Sequence, residues 1–243
     1  MEIHGLNKTT LLDYPEHVAC TVFTGSCNFR CPFCQNADLV LNPTAQPCIQ
    51  EEAFWAFLAK RKGMLEGVCI TGGEPTLHKD LIPFIRRIKE EGLLVKLDTN
   101  GYRPEVLKEL ISQKLIDYVA MDLKSSKEGY AVAAGLKTFN LSAVEASVEI
   151  LMNGSTPYEF RTTVVKELHG LDDFISIAGW IKGCRSYYLQ SYADSGSILQ
   201  FALPTQEQVL NAASLTPYTP MELKSIVSLL NEKGVPAKLW GIS

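Results

Sequence analysis

Val18-Ala-Cys-Thr-Val-Phe23, then Thr24-Gly-Ser26, then Cys27-Asn-Phe-Arg-Cys31-Pro-Phe-Cys34: an apolar strand-like segment, a short turn and a C-x3-C-x2-C run decide how this chain is read. The run begins four residues after the strand. Three thiolates on one short loop can hold three corners of an iron–sulfur cube. A buried [4Fe–4S] cluster normally takes four cysteines, so a three-cysteine loop leaves one iron open to a non-protein ligand. An open iron suggests chemistry more than electron storage.

Zinc is the competing reading. Structural zinc usually takes four ligands, often as repeated close cysteine pairs. The remaining cysteines, Cys20, Cys48, Cys69 and Cys184, form no second close pair, and His4, His17, His78 and His169 form no H-x3–5-H. A distant Cys or His completing a site keeps zinc open. A disulfide framework is weaker still, because the cysteine number is odd and the start lacks a secretion signal.

The 243 residues, 46% of them hydrophobic, are enough for a full core, and α/β barrels of this length commonly form one domain. No apolar run reaches the roughly 18 residues of a membrane span. Met1-Glu-Ile-His-Gly lacks the basic and apolar regions of a signal peptide. The expectation is a cytoplasmic protein without a membrane partner, where a reducing medium suits a thiolate cluster. Net charge is −4, from 23 Lys+Arg against 27 Asp+Glu, with no basic stripe to track a phosphate backbone, so nucleic acid is not the expected partner.

Working outward, short apolar strands alternate with amphipathic helices. Strands are expected at 67–71, 94–98, 118–122, 159–165 and 186–190, with a terminal edge strand at 237–240. Helices are expected near 51–62, 79–91, after Pro104, after a capping box at Ser142-Ala-Val-Glu145, at 171–182 and from Pro220 to Gly234. Repeated strand–helix units imply a parallel sheet with right-handed crossovers. Six units fall short of the eight of a closed barrel. The expected fold class is α/β, a partial (β/α)6 TIM-like barrel with parallel strands. The expected layout is a single domain over 1–243, with its core at about 16–195 and a C-terminal helix and strand at about 219–242.

In parallel α/β folds, sites lie at the carboxyl ends of strands. The unusual polar residues fall there: Thr71-Gly72-Gly73-Glu74-Pro75, Asp98-Thr99-Asn100-Gly101, Asp122-Leu-Lys124, Arg161 and Gln190. Each has a bland alternative. Gly72-Gly73 reads also as a tight turn, Asp98 as a cap beside the Asn100-Gly101 turn, and Asp122 with Lys124 as a surface ion pair. Yet residues i and i+2 on a strand share a face, so both charges can point into the barrel mouth.

Taken together, these residues resemble the radical S-adenosylmethionine superfamily over most of the chain. The hallmark is C-x3-C-x-aromatic-C, here with Phe33 as the aromatic. A narrower resemblance is to glycyl-radical-enzyme activating proteins, closest to the anaerobic ribonucleoside-triphosphate reductase activating type. It is carried by Leu11-Leu-Asp-Tyr-Pro15, Val22 to Asn36, Leu97-Asp-Thr-Asn-Gly101 and Met121-Asp-Leu-Lys124.

The resemblance implies one [4Fe–4S] cluster on Cys27, Cys31 and Cys34, and S-adenosylmethionine chelating the open iron. It implies that Phe33, Gln35, Gly72, Gly73, Glu74, Asp98, Asn100, Asp122, Lys124 and Arg161 bind the cosubstrate, Gly72-Gly73-Glu74-Pro75 receiving its amino group. It further implies a monovalent cation at Asp98, Thr99 and Asp122, with the Ala120 carbonyl. The implied reaction is reductive cleavage of S-adenosylmethionine and generation of a glycyl radical on a partner enzyme. A flavodoxin- or ferredoxin-type reductant would feed it.

There are departures. Gln35 stands where many activating enzymes have His, and Gln190-Ser-Tyr-Ala-Asp194 lacks the His that a pyruvate formate-lyase activating enzyme places there. Cys20 and Cys69 read as core packing, and Cys48 and Cys184 have no assigned role. The rival readings are a radical enzyme acting on a small molecule and a zinc-stabilised binding protein.

Overall fold

The computed structural model describes residues 1–194, 196, 198–202 and 215–240. Residues 195, 241 and 242, at the ends of the expected ranges, lie outside the described residues. The chain divides into two compact units. The first comprises Met1–Asn28, Asp38–Ala120 and Ser155–Pro157, and the second Phe29–Ala37, Met121–Gly154 and Tyr158–Ser243.

In the first unit β1 (Gly5–Thr10), β2 (Ala19–Thr24), β3 (Gly67–Gly72) and β4 (Leu94–Thr99) lie side by side in that order. β2, β3 and β4 are parallel, with Cys20 opposite Val68 and Cys69 opposite Lys96. β1 runs antiparallel to β2, pairing Gly5 with Phe23 and Asn7 with Thr21. This strand is a correction, since the sequence reading began its strands at Val18. Gly-Leu-Asn-Lys-Thr-Thr has no apolar alternation, and its backbone pairing at the edge of β2 leaves no side-chain signal.

The connecting helices are α1 (Ala37–Leu41), α2 (Glu51–Lys60), α3 (Leu81–Glu90) and α4 (Pro104–Ser112). α3 buries Leu81, Phe84, Ile85 and Ile88 on one face. Each such side chain contributes about 1.5–3 kcal/mol. Pro104 opens α4, where its missing N–H goes unneeded.

β5 (Tyr118–Asp122) passes from the first unit into the second. The second unit contains α5 (Tyr130–Ala133), α6 (Leu141–Asn153), β6 (Tyr158–Val164), α7 (Leu171–Trp180), β7 (Tyr187–Ser191), α8 (Leu199–Ala202), α9 (Pro220–Glu232) and β8 (Ala237–Leu239). β6, β7 and β8 are parallel, so the terminal strand expected from the sequence is present. The capping box expected at Ser142 is corrected. Asn140 caps α6, accepting from the Ser142 N–H, and Ser142 already lies in the first turn. Thr219 and Glu222 do form a capping box at the start of α9.

Candidate active site

In the first unit the chain leaves β2 through Gly25 and Ser26 toward Cys27. Ser26 adopts a left-handed φ of 61°. Its N–H bonds the Leu39 carbonyl at 2.8 Å, and its carbonyl accepts the Glu74 N–H at 2.8 Å. The Gly73 N–H bonds Thr24 O at 2.8 Å. A Cβ on Gly73 would lie 1.9 Å from Ser26 O, and one on Gly72, at φ 111°, would lie 2.4 Å from Thr24 N. Both glycines are therefore required by the close approach of this loop to the end of β2.

Glu74 is buried and collects four donors. Its Oε1 accepts the Thr76 N–H, the Thr76 hydroxyl and the Thr99 hydroxyl, the last at 2.8 Å, and its Oε2 accepts the Asn100 N–H at 2.7 Å. Burial raises its pKa, opposed by these hydrogen bonds from Thr76, Asn100 and Thr99. Glu74 thus welds the end of β3 to the end of β4. Held this way, Asn100 directs its side-chain N–H to Asn28 Oδ1 at 2.8 Å and to Cys27 Sγ at 3.9 Å. Asp98, also on β4, pairs with the buried ammonium of Lys96.

The second unit carries Cys31 and Cys34. Arg30 N–H bonds the Ala134 carbonyl at 2.8 Å. Gly135 sits at φ 68°, where a Cβ would meet Arg30 O at 1.9 Å. The Leu199 and Gln200 N–H groups bond Cys34 O and Pro32 O at 3.0 and 3.1 Å. Cys31 is buried and Cys34 half-buried. Burial raises the Cys34 pKa, while the Asn36 N–H, Lys124 and Arg30 pull it down. Phe33 is buried, its ring 6.4 Å from that of His169. The Gln35 amide donates to the Ala193 carbonyl at 2.7 Å.

Asp122 lies between two cations. Its Oδ2 is 3.0 Å from Lys124 Nζ and its Oδ1 is 3.0 Å from Arg161 Nε. Burial alone would push its pKa up, but Lys124 and Arg161 overcome that and hold it at about 2. Lys124 is raised well above its usual range: burial lowers it, but Asp122 and Cys31 outweigh that.

Sequence reasoning missed His169, Asn28, Gly135 and Lys96. His169 is fully buried; it accepts the Val165 N–H at Nδ1 and bonds the Lys124 carbonyl through Nε2 at 2.8 Å. Burial lowers its pKa, opposed by the hydrogen bonds to Lys124 and Val165. Its position beyond β6, rather than β7, hid it from a search for a His near Gln190.

The residues fit an iron–sulfur cluster with an added ligand. Two cations, Lys124 and Arg30, stand near the cysteines of the second unit and offset part of the burial that raises the Cys34 pKa. Beside Cys27, the buried Nδ2 of Asn28 has no hydrogen-bond partner among the described residues, an orphan donor suited to an acceptor ligand.

Comparison with known proteins assigns the class. The profile of the Radical SAM superfamily matches residues 21–172, and the chain belongs to that family. A Methanocaldococcus jannaschii protein, MJ1227, with the provisional name of glycyl-radical enzyme activating enzyme, is 32% identical over 78% of this chain and 79% of its own. The pyruvate formate-lyase-activating enzyme of Clostridium pasteurianum is 30% identical over 55% of this chain and 57% of its own. The GTP 3′,8-cyclase of Mannheimia succiniciproducens is 29% identical over 65% and 48%. A radical SAM methyltransferase from Sphaerobacter thermophilus has the same fold, with a TM-score of 0.69, 14% identity, and 93% of this chain and 67% of that one covered. The fold class is the α/β partial barrel of parallel strands expected from the sequence. The chain is a radical SAM oxidoreductase that uses a [4Fe–4S] cluster and S-adenosylmethionine. No helix among the described residues is long and apolar enough to cross a membrane.

Proposed function

We propose that this chain activates a glycyl-radical enzyme, with an anaerobic ribonucleoside-triphosphate reductase as the partner. The observation that carries the reading is the C-x3-C-x2-C loop on a parallel α/β scaffold, joined to a relative provisionally named as an activating enzyme. Cys27, Cys31 and Cys34, within eight consecutive residues, are the cluster ligands of this proposal. A reduced [4Fe–4S] cluster held by these cysteines would supply the single electron for reductive cleavage of S-adenosylmethionine to methionine and the radical that takes a hydrogen atom from the partner's glycine.

The chain's own residues bind and orient. In the first unit the Gly72-Gly73 backbone anchors the Cys27 loop, and Glu74 positions Thr99 and Asn100 through its hydrogen bonds. Asn100 and Asn28 present amides beside Cys27. In the second unit Asp122 orients Lys124 and Arg161, whose positive charges suit the cosubstrate's carboxylate. Phe33 and Gln35 complete the proposed set. The chain is proposed to act as a single cytoplasmic domain with a flavodoxin- or ferredoxin-type reductant.

The test is electron paramagnetic resonance of the reduced, reconstituted protein mixed with S-adenosylmethionine and a cognate reductase, its target glycine deuterated at Cα. A glycyl doublet that loses its splitting on deuteration supports the reading, as does deuterium in the deoxyadenosine. The match to GTP 3′,8-cyclases favours a second reading, chemistry on a small molecule. No glycyl radical on any cognate enzyme, with deoxyadenosine formed in step with a small product, would establish it instead.

A further inference from the structure

Lys96 stands on β4 two residues before Asp98, and its side chain is 0% exposed. Positions 96 and 98 share a face of the strand. The ammonium bonds Asp98 Oδ1 and lies 3.9 Å from the sulfur of Cys69, directly opposite on β3. Cys69 Sγ is in turn 3.7 Å from Asp98 Oδ1. The ion pair with Lys96 therefore already stands at the carboxylate where the resemblance implied a monovalent metal ion.

We propose that Lys96 is a positioning residue that serves as the internal cation for Asp98, so that S-adenosylmethionine binding requires no potassium or sodium at this carboxylate. The proposal rests on reading Asp98 as part of the cosubstrate site. A tethered ammonium occupies its place at any ionic composition. A second cation brought to Asp98 would meet repulsion from Lys96 across a distance at which unit charges interact strongly inside a protein.

The experiment measures S-adenosylmethionine affinity calorimetrically on the reconstituted full chain. Potassium chloride is compared with tetramethylammonium chloride, a cation too bulky for such a site, at equal ionic strength. Wild-type affinity is expected to be the same in both. Lys96→Met should bind about tenfold more weakly in tetramethylammonium and recover in potassium or sodium, while Lys96→Arg should stay independent of the salt. A purely structural role for Lys96 would not be rescued by an ion. Iron content per chain and far-ultraviolet circular dichroism verify that each variant is loaded and folded.

Three results would each overturn the proposal: wild-type binding that needs potassium or sodium, Lys96→Met with undiminished affinity in tetramethylammonium, or a loss that no alkali ion restores. Should Lys96→Met not fold, the neutral pair Lys96→Met/Asp98→Asn takes its place. It is expected to show no potassium response, and a response would count against the proposal. Failure of the underlying site reading looks different: Asp98→Asn would then bind like wild type in both salts, and the proposal would fall with it.

Discussion

Asp122 carries the site's clearest pH signature. Its folded pKa of about 2 lies below the ordinary Asp value near 3.9. The carboxylate thus stabilises the fold fully above about pH 4, and this stabilisation is lost as pH falls through about 2. With the side chain about a third exposed, solvent screening leaves on the order of 1 kcal/mol. Unfolding free energies of wild type and Asp122→Asn, from urea titrations, should differ by that much at pH 6 and converge toward pH 2. A constant gap across this range would remove the depressed pKa. Replacing Cys27, Cys31 or Cys34 by Ala should abolish the cluster absorbance near 400 nm. Full iron content in Cys31→Ala would refute the ligand assignment. The sequence displayed these cysteines and carboxylates because charged and thiol side chains stand out after apolar strands. It hid Lys96, since a lysine inside Leu94-Val-Lys-Leu-Asp98 reads as a solvent-facing position. The available signal was its i, i+2 spacing to Asp98 in a strand flanked on both sides, where both faces are usually covered.

Between elements, the glycines differ in what they permit. Gly135→Ala combines a left-handed φ with a Cβ 1.9 Å from Arg30 O, so backbone must move, at about 3 kcal/mol. Gly92, at φ 80°, has nothing within 4 Å of where an added methyl would stand, so Gly92→Ala costs only the strain, about 1 kcal/mol. Urea unfolding of the two variants should separate by that difference, and iron content should fall only in Gly135→Ala. Equal losses would mean that the loop around Arg30 yields easily. At the start of α9, Thr219→Ala should cost about 1 kcal/mol through loss of the cap. The alternation of strands and helices was legible because apolar periodicity follows burial. β1 was not, because its edge position rests on backbone hydrogen bonds that any sequence can make. The start of α6 moved to Asn140 because a Ser followed by Glu three residues on also fits the first helical turn.

For the molecule as a whole, the loop that bears the cysteines is held by the protein itself, through Ser26, Arg30, Pro32 and Cys34 backbone bonds. Anaerobic reconstitution should give about four iron and four sulfide per chain. Removing them with a chelator should leave the far-ultraviolet spectrum unchanged. A collapse of helical signal on chelation would show that the metal, not the packing, orders the chain. The fold class and the family were readable from one loop and its neighbours, whereas the closeness of Gly72 and Gly73 to the β2 backbone required coordinates. One further consequence concerns ageing. Asn100-Gly101 is a bond of the kind along which chains deamidate, by attack of the glycine nitrogen on the asparagine amide. Here that nitrogen donates to the Thr99 hydroxyl, and the Asn100 side-chain oxygen accepts the Tyr102 N–H. Asn100 is also buried, away from the water that hydrolysis needs. The folded protein should therefore keep Asn100 intact through prolonged storage, and the one-dalton mass gain should accumulate at this position only in chains that have unfolded.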